Sequence, residues 1–287
     1  MKKSVLPMPH SDSSNLTAAD LLKGDLQLTS PPAIYFELKK TLEDPYKSIV
    51  DAGKIIEKDP ALSIRLLKLV NSAFFGFPSR IVTISHAITL IGTQELQNLV
   101  LSTLIIDRFS MLPNGMLSMH DFWAMSLRSA LTARELAAHW DTDENDEAIF
   151  ICGLLHEIGK LVFYRRIPEL AREVGLLVES TDADEIKTER NIIGFDHYET
   201  GAELARLWKL PEIISETIAL HAHPDSTGRY QTAGAIVRSA NRIAKMAFFD
   251  TETDLSEIGI SDEQLSDIID KVHDQFEEIF NIFYPHR

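Results

Sequence analysis

The chain has one cysteine, Cys152, among its 287 residues, and several other features that mark secreted or membrane proteins are missing. A single cysteine excludes an internal disulfide and is typical of a reducing compartment. No apolar run approaches the roughly 20 residues that a membrane-spanning helix needs. The amino terminus carries two lysines but no apolar segment of a secretory signal, which predicts a cytoplasmic location.

Positive charge is also scarce. The chain has 28 lysines and arginines against 43 aspartates and glutamates, which gives a net charge of -15. Such a field repels phosphate backbones unless a local basic patch offsets it. Lys39-Lys40 and Arg165-Arg166 are isolated pairs that we interpret as solvated surface charges. The composition therefore predicts no nucleic-acid partner, and the hydropathy predicts no membrane partner.

Apolar residues recur at spacings of three and four along most of the chain, while strand-like alternation is nearly absent. This periodicity predicts an all-α protein. The run Leu112-Pro113-Asn114-Gly115 is the strongest break, because proline and Asn-Gly both favour turns. The predicted organisation is a flexible leader at 1–29, an N-terminal helical lobe at 30–112, a second helical lobe at 116–250 and a C-terminal helix extension at 251–287.

Local signals predict where several helices begin and end. Asp44-Pro45 and Asp59-Pro60 predict helix starts, since the carboxylate can accept bonds from backbone donors and proline suits the first helical position. The pair Asn71-Ser72 closes an apolar helix and is interpreted as a C-terminal cap. Further helices are predicted near 120–139, 146–157, 199–208, 211–221 and 231–248, with a polar stretch at 180–190 and a last amphipathic helix from Ser261.

Polar residues on apolar helical stripes are the candidates for chemistry. His156 and Glu157 directly follow the apolar stretch Ile149–Leu155. His221 and Asn241 each lie among apolar residues at helical spacing. Because buried polar groups need partners, we expect these side chains to converge. Taken alone, the His-Glu pair is interpreted as an ordinary buried histidine that satisfies its hydrogen bonds, and only the other polar residues on inward stripes change that interpretation.

The N-terminal half carries a distinctive series of motifs. They are Asp59-Pro60-Ala61-Leu62, Val70-Asn71-Ser72-Ala73-Phe74-Phe75-Gly76, Ile84-Ser85-His86-Ala87-Ile88 and Leu90-Ile91-Gly92. In combination they resemble the HDOD (HD-related output domain) family, a degenerate branch of the HD metal-dependent phosphohydrolases. The resemblance covers about residues 30 to 245. It implies that the second lobe is HD-phosphohydrolase-like.

In that superfamily a histidine and an aspartate hold a metal ion that activates water. The resemblance places Glu157 at the position of this aspartate, Met125 at the first metal-binding histidine and Asn241 at the last metal-binding aspartate. A thioether and an amide are poor ligands for the metals concerned. The resemblance thus implies no catalytic residue and no resident cofactor, with a divalent ion at low occupancy at most. The implied residual metal site comprises His156, Glu157, His197 and His221.

Two functions from different classes remain open at this stage. The first is a non-catalytic bacterial signal-transduction module that binds a protein partner or a small ligand in the groove between the lobes. Its partners would be signalling proteins in trans, with a small-molecule or nucleotide ligand. The second is a metal-dependent phosphohydrolase that acts on a nucleotide or a cyclic dinucleotide.

His223 is predicted to lie in a surface loop. On a continuing helix, a side chain two positions after His221 would point about 200° away from it.

Overall fold

The computed structural model describes residues 16–25, 30, 32–110, 118–140, 146–181, 183–221, 223, 227–249 and 259–285. Within these residues the regular elements are all helices, which confirms the predicted all-α class. None of these helices is both long enough and apolar enough to cross a membrane.

The helices before the predicted lobe boundary form the first group. They are α1 (Ala18–Leu22), α2 (Ala33–Glu43), α3 (Ile49–Ile56), α4 (Pro60–Val70), α5 (Ile84–Ile91) and α6 (Thr93–Phe109). Helices α2 to α6 pack on one another around a buried apolar core. We refer to these five helices as the first lobe.

The second lobe and the C-terminal extension follow. They comprise α7 (Met119–Ala137), α8 (Asp146–Leu155), α9 (Ile158–Arg166), α10 (Pro168–Thr181), α11 (Glu185–Ile192), α12 (His197–Leu207), α13 (Glu212–His221), α14 (Gln231–Phe249) and α15 (Asp262–Phe283). Helix α7 packs along both α8 and α14 and forms the centre of this lobe.

Helix α15 lies across both lobes. It packs on α7 of the second lobe and on α4 and α6 of the first. Its apolar stripe is buried, and the residues are Ile268, Val272, Phe276, Ile279, Phe280 and Phe283. The amphipathic face that the sequence predicts is therefore covered within the chain and is not left for a partner helix.

Of the two predicted Asp-Pro helix starts, one is confirmed and one is wrong. The Asp59 carboxylate accepts hydrogen bonds at 3.0 Å from the backbone nitrogens of Ala61 and Leu62, and Pro60 is the first residue of α4. The Asp44 carboxylate instead accepts from Tyr46 in a turn. Helix α3 begins at Ile49, four residues after Pro45, where Ser48 and Asp51 form a reciprocal cap.

Part of the predicted flexible leader is packed on the body. Leu21 and Leu22 of α1 are buried, and this short helix contacts α9 and α12. The predicted surface pair Arg165-Arg166 holds it in place. Arg165 pairs with Asp25 at 2.6 Å, and Arg166 donates to the carbonyl of Leu21 at 2.7 Å. Five helical residues are too few for a periodic signal, so the sequence pattern does not reveal them.

The region predicted as one helix at 146–157 contains a break. Helix α8 ends at Leu155, His156 and Glu157 form a turn, and α9 starts at Ile158. The predicted polar stretch at 180–190 includes most of α11 and the end of α10. Both of these helices bury only two residues, and the sequence of α11 is strongly polar, which favoured the interpretation as a polar stretch.

A close approach of two backbones fixes α9 against α12. A Cβ atom added at Gly159 would lie 1.8 Å from the carbonyl oxygen of His197 and 2.8 Å from the backbone nitrogen of Gly201. Neither obstacle is a flexible side-chain end that could move away. Only glycine therefore permits this contact between the helix after His156 and the helix that begins at His197.

We expect Gly159→Ala to lower the free energy of unfolding by about 3 kcal/mol or more, since overpacking against backbone cannot be relieved by a rotamer change. Gly228→Ala is the matched control, because a Cβ atom at Gly228 would meet nothing within 4 Å. Urea denaturation of both variants measures the difference. Equal stability of the two variants would show that the helices can separate at little cost.

Candidate functional site

The fold gathers the predicted site residues from four separate elements. His156 and Glu157 lie in the turn between α8 and α9, and His197 is the first residue of α12. His221 ends α13, and Asn241 lies within α14. All five are buried. We call these five residues the HD-like pocket.

Distances within the pocket confirm the expected convergence. The rings of His156 and His221 have centroids 5.0 Å apart, and Nε2 of His156 lies 3.7 Å from Oε1 of Glu157. The amide nitrogen of Asn241 donates to the same Glu157 oxygen at 3.4 Å. Tyr198, which sequence reasoning missed, lies between two histidines, with ring centroids 4.0 Å from His197 and 4.5 Å from His221.

Hydrogen bonds set the orientation of two of the imidazoles. Nδ1 of His156 is 2.7 Å from the carbonyl oxygen of Gly153, which can only accept, so Nδ1 carries the proton. Nδ1 of His197 likewise donates to the Glu189 carboxylate at 2.8 Å. In both residues Nε2 has no hydrogen-bond partner among the residues that the structure describes. The same holds for Nδ1 of His221 and Oδ1 of Asn241.

Burial keeps two of the histidines neutral. Loss of hydration lowers the pKa of His156 to about 4, although the nearby Glu157 carboxylate opposes the shift. Burial and the neighbouring His156 lower the pKa of His221 well below its usual value. Near neutral pH the pocket therefore offers uncharged imidazole nitrogens.

The Glu157 carboxylate is held by two lysines that sequence reasoning missed. Nζ of Lys160 lies 2.5 Å from Oε2, and Nζ of Lys245 lies 3.7 Å from Oε1. Burial alone would raise the pKa of Glu157, but these ammonium groups lower it well below the usual range. The spacing of three residues between Glu157 and Lys160 was a usable signal, because such pairs share one helical face.

A second carboxylate pair adjoins the pocket. Lys160 also pairs with Glu185 at 2.9 Å, and Glu189 accepts from both Nδ1 and the backbone nitrogen of His197. Glu185, Glu189 and His197 form the one group in the described part of the chain whose three metal-ligand atoms lie within 4.8 Å of one another. The Glu185 carboxylate is engaged by Lys160, and the Glu189 carboxylate by Nδ1 of His197, whereas Nε2 of His197 has no hydrogen-bond partner among the described residues.

The residues of the HD-like pocket do not fit a divalent-metal centre. Among the described residues, no three of the four predicted ligands bring donor atoms within 4.8 Å of one another. The Glu157 carboxylate faces ammonium groups, and the amide nitrogen of Asn241 points at it. Met125 is half-buried on α7 and offers a thioether. Such a donor set lacks the charge and convergence that a divalent ion requires.

His223 lies outside this pocket, as predicted. It is exposed, and its Nε2 is 3.5 Å from the guanidinium of Arg190. The buried thiol of Cys152 lies 3.8 Å from the carbonyl oxygen of Ile213 and has no access to solvent.

Comparison with known proteins identifies the family that has this architecture. The model of the HDOD domain matches residues 28–224, which is more than half of the chain. The chain belongs to the HDOD family. The match begins near residue 30, where the sequence motifs indicate, but it ends before the predicted limit near 245, so both α14, which carries Asn241, and α15 lie beyond it.

Individual relatives are similar over most of this HDOD chain. A Treponema pallidum protein without a characterised function is 32% identical over 237 residues, which are 79% of this chain but 44% of that protein. This chain therefore spans less than half of that relative. A Shewanella amazonensis structure described as a candidate phosphohydrolase is 27% identical, with a TM-score of 0.74 and coverage of 92% and 97% of the two chains. An HDOD protein of unknown function from Geobacter sulfurreducens gives 22% identity, a TM-score of 0.68 and coverage of 90% and 93%.

Removing one partner of the buried ion pair should destabilise the fold. We expect Lys160→Met to lower the free energy of unfolding by about 3 kcal/mol, because among the described residues it leaves Lys245 as the one ammonium group near the buried Glu157 carboxylate. The double variant Glu157→Gln/Lys160→Met should cost less than the sum of the single variants. Urea denaturation of all three variants gives the coupling energy. Strict additivity would mean that the two side chains do not interact in solution.

Glu189 should fix the tautomer of His197. We expect long-range ¹H–¹⁵N spectra to show the Nδ1–H form, and Glu189→Gln to disturb it and to cost about 2 kcal/mol of stability. Glu173→Gln, an exposed change on α10, is the control and should leave both unchanged. An Nε2–H tautomer in the unaltered chain would contradict the assignment.

Proposed function

We propose that this HDOD chain is a non-catalytic regulatory module of bacterial signal transduction, which acts by binding a protein partner or a small ligand. The observation that carries the proposal is the state of Glu157. Its carboxylate is compensated by the ammonium group of Lys160 at 2.5 Å and by that of Lys245 at 3.7 Å. A carboxylate so compensated is a weak ligand for a divalent ion, and Met125 and Asn241 add no anionic donor.

The same contacts give the pocket a structural role. Lys160 on α9 ties the turn at Glu157 to Glu185 on α11, and Asn241 and Lys245 tie the turn to α14. In the proposed role, these ion pairs specify which helices meet, because another packing of these helices would leave a charge without a partner. In the proposed function the pocket holds the second lobe together, and binding takes place elsewhere on the surface.

A metal-dependent phosphohydrolase acting on a nucleotide or a cyclic dinucleotide is the second candidate. One observation favours it: Nε2 of His156 and Nε2 of His197 are buried without a hydrogen-bond partner among the described residues. Buried nitrogens of this kind are the atoms that a metal or an ordered water would satisfy. The Shewanella relative, at 27% identity, is described as a candidate phosphohydrolase.

Metal analysis and turnover separate the two candidates. We expect the purified chain, dialysed against iron, manganese or zinc, to retain far less than one ion per chain and to hydrolyse neither phosphodiesters nor nucleotides. The variant Met125→His/Glu157→Asp/Asn241→Asp restores the donor types and should bind metal at least about tenfold more tightly. Near-stoichiometric metal in the unaltered chain, with turnover abolished by His156→Ala, would instead establish the hydrolase.

A further inference from the structure

A groove lies between the two lobes, away from the HD-like pocket. Its volume is about 440 Å³, within the range of small-molecule sites. The first lobe contributes Phe75, Phe77 and Leu90, and the second contributes Phe150 and Arg134. The rings of Phe75 and Phe77 lie parallel, with centroids 6.0 Å apart, and form an aromatic wall.

The loop that carries this aromatic wall is held in place by Asn71. Its amide nitrogen donates to the carbonyl oxygens of Leu67 and Ile81 at 2.7 and 2.8 Å, and its amide oxygen accepts from the backbone nitrogen of Ile81 at 2.7 Å. From α15, the Glu278 carboxylate accepts from the backbone nitrogen of Ala73 at 3.1 Å. The predicted cap at Asn71-Ser72 therefore also closes the loop that lines the groove.

The guanidinium of Arg134 lies in the groove and has N–H donors that no described residue accepts. Its guanidinium stacks over the ring of Phe74 at 3.8 Å and lies 5.8 Å from that of Phe75. Within the described residues it makes neither a hydrogen bond nor an ion pair. A stacked guanidinium is fixed in orientation but keeps its N–H donors at the edge, where they suit two oxygens of a carboxylate.

Two carboxylates share the groove and narrow the choice of ligand. Glu135 is paired with Lys271 at 3.2 Å, and Glu95 is buried with an interaction of its own. Lys271 thus offsets the charge of Glu135, and Arg134 is left to meet a ligand. Carboxylates in the groove repel a doubly charged phosphate more strongly than a singly charged carboxylate, so a single negative charge is favoured at Arg134. A cationic ligand would have to approach the positive guanidinium.

We propose that this groove binds a small monocarboxylate with an aromatic or branched apolar body. Arg134 holds the carboxylate through two N–H donors, while Phe75, Phe77 and Leu90 pack on the apolar body. The inference deepens the proposed regulatory function by naming the class of small ligand. Because both lobes line the groove, the bound molecule bridges them.

The test measures binding of 3-phenylpropanoate to the full chain by calorimetry and ligand-observed NMR, with 3-phenylpropanamide and 3-phenylpropylamine as matched probes. We expect saturable binding of the carboxylate, and at least about tenfold weaker binding of the amide and the amine, since a charge-assisted bidentate bond is lost. Arg134→Gln should weaken carboxylate binding by a similar factor. Arg128→Gln is the control, because that guanidinium stacks on Phe276 outside the groove lining.

A second groove variant distinguishes a loss of ligand binding from misfolding of the arginine variants. Leu90 is 43% exposed, so Leu90→Glu should fold normally while its new charge repels the carboxylate. Ile64→Glu, at a position 56% exposed on α4, should leave binding unchanged. No saturable binding of the carboxylate, equal binding of all three probes, or unaltered binding in both groove variants would overturn the proposal. Any of these results would leave the metal and turnover measurements of the proposed function untouched.

Discussion

The direct backbone contact between Gly159 and His197 is the constraint on which the HD-like pocket depends. It allows α9 to lie closer to α12 than any side chain at residue 159 would permit. Through that contact the turn at His156 and Glu157 comes to lie beside the residue that starts α12. Tyr198, the next residue of α12, then lies between His197 and His221. A small change in the separation of two helices would therefore alter the whole pocket.

The HD-like pocket compensates the charge of a buried carboxylate within a strongly acidic chain. Glu157 is buried, and an isolated buried carboxylate would be costly or would take up a proton. Lys160 and Lys245 lower its pKa well below the usual range, whereas the burial of His156 and His221 keeps both imidazoles neutral. The charges are thus balanced between α9, α11 and α14 within the protein itself.

The pocket and the groove differ in access. His156 and His197 have no exposed surface, so molecules from solution cannot reach them without movement of the fold. The groove between the lobes is lined by residues that are partly open, such as Leu90 and Arg134. Helix α15 packs against both lobes and pairs Lys271 with Glu135 at the edge of the groove. The proposed binding site and the structural role of the pocket therefore fall to separate parts of the molecule.

The sequence by itself determined the all-α class, most of the long helices, and the family through its motif series. It also identified His156, Glu157, His221 and Asn241 as inward-facing, because helical periodicity reveals which side of a helix is buried. Short or strongly polar helices such as α1 and α11 were missed, since few of their residues face the core. The Asp44-Pro45 start was wrong because a neighbouring cap was stronger.

Only the tertiary structure decided what those inward-facing residues meet. Asn241 reaches Glu157 across 84 positions of the chain, and periodicity carries no information about contacts at that range. For the same reason the sequence did not show that Lys245 faces Glu157, that Glu189 orients His197, or that Arg134 stacks on Phe74. Each of these contacts depends on the distance and angle between packed helices. The packing of many side chains together determines that distance and angle.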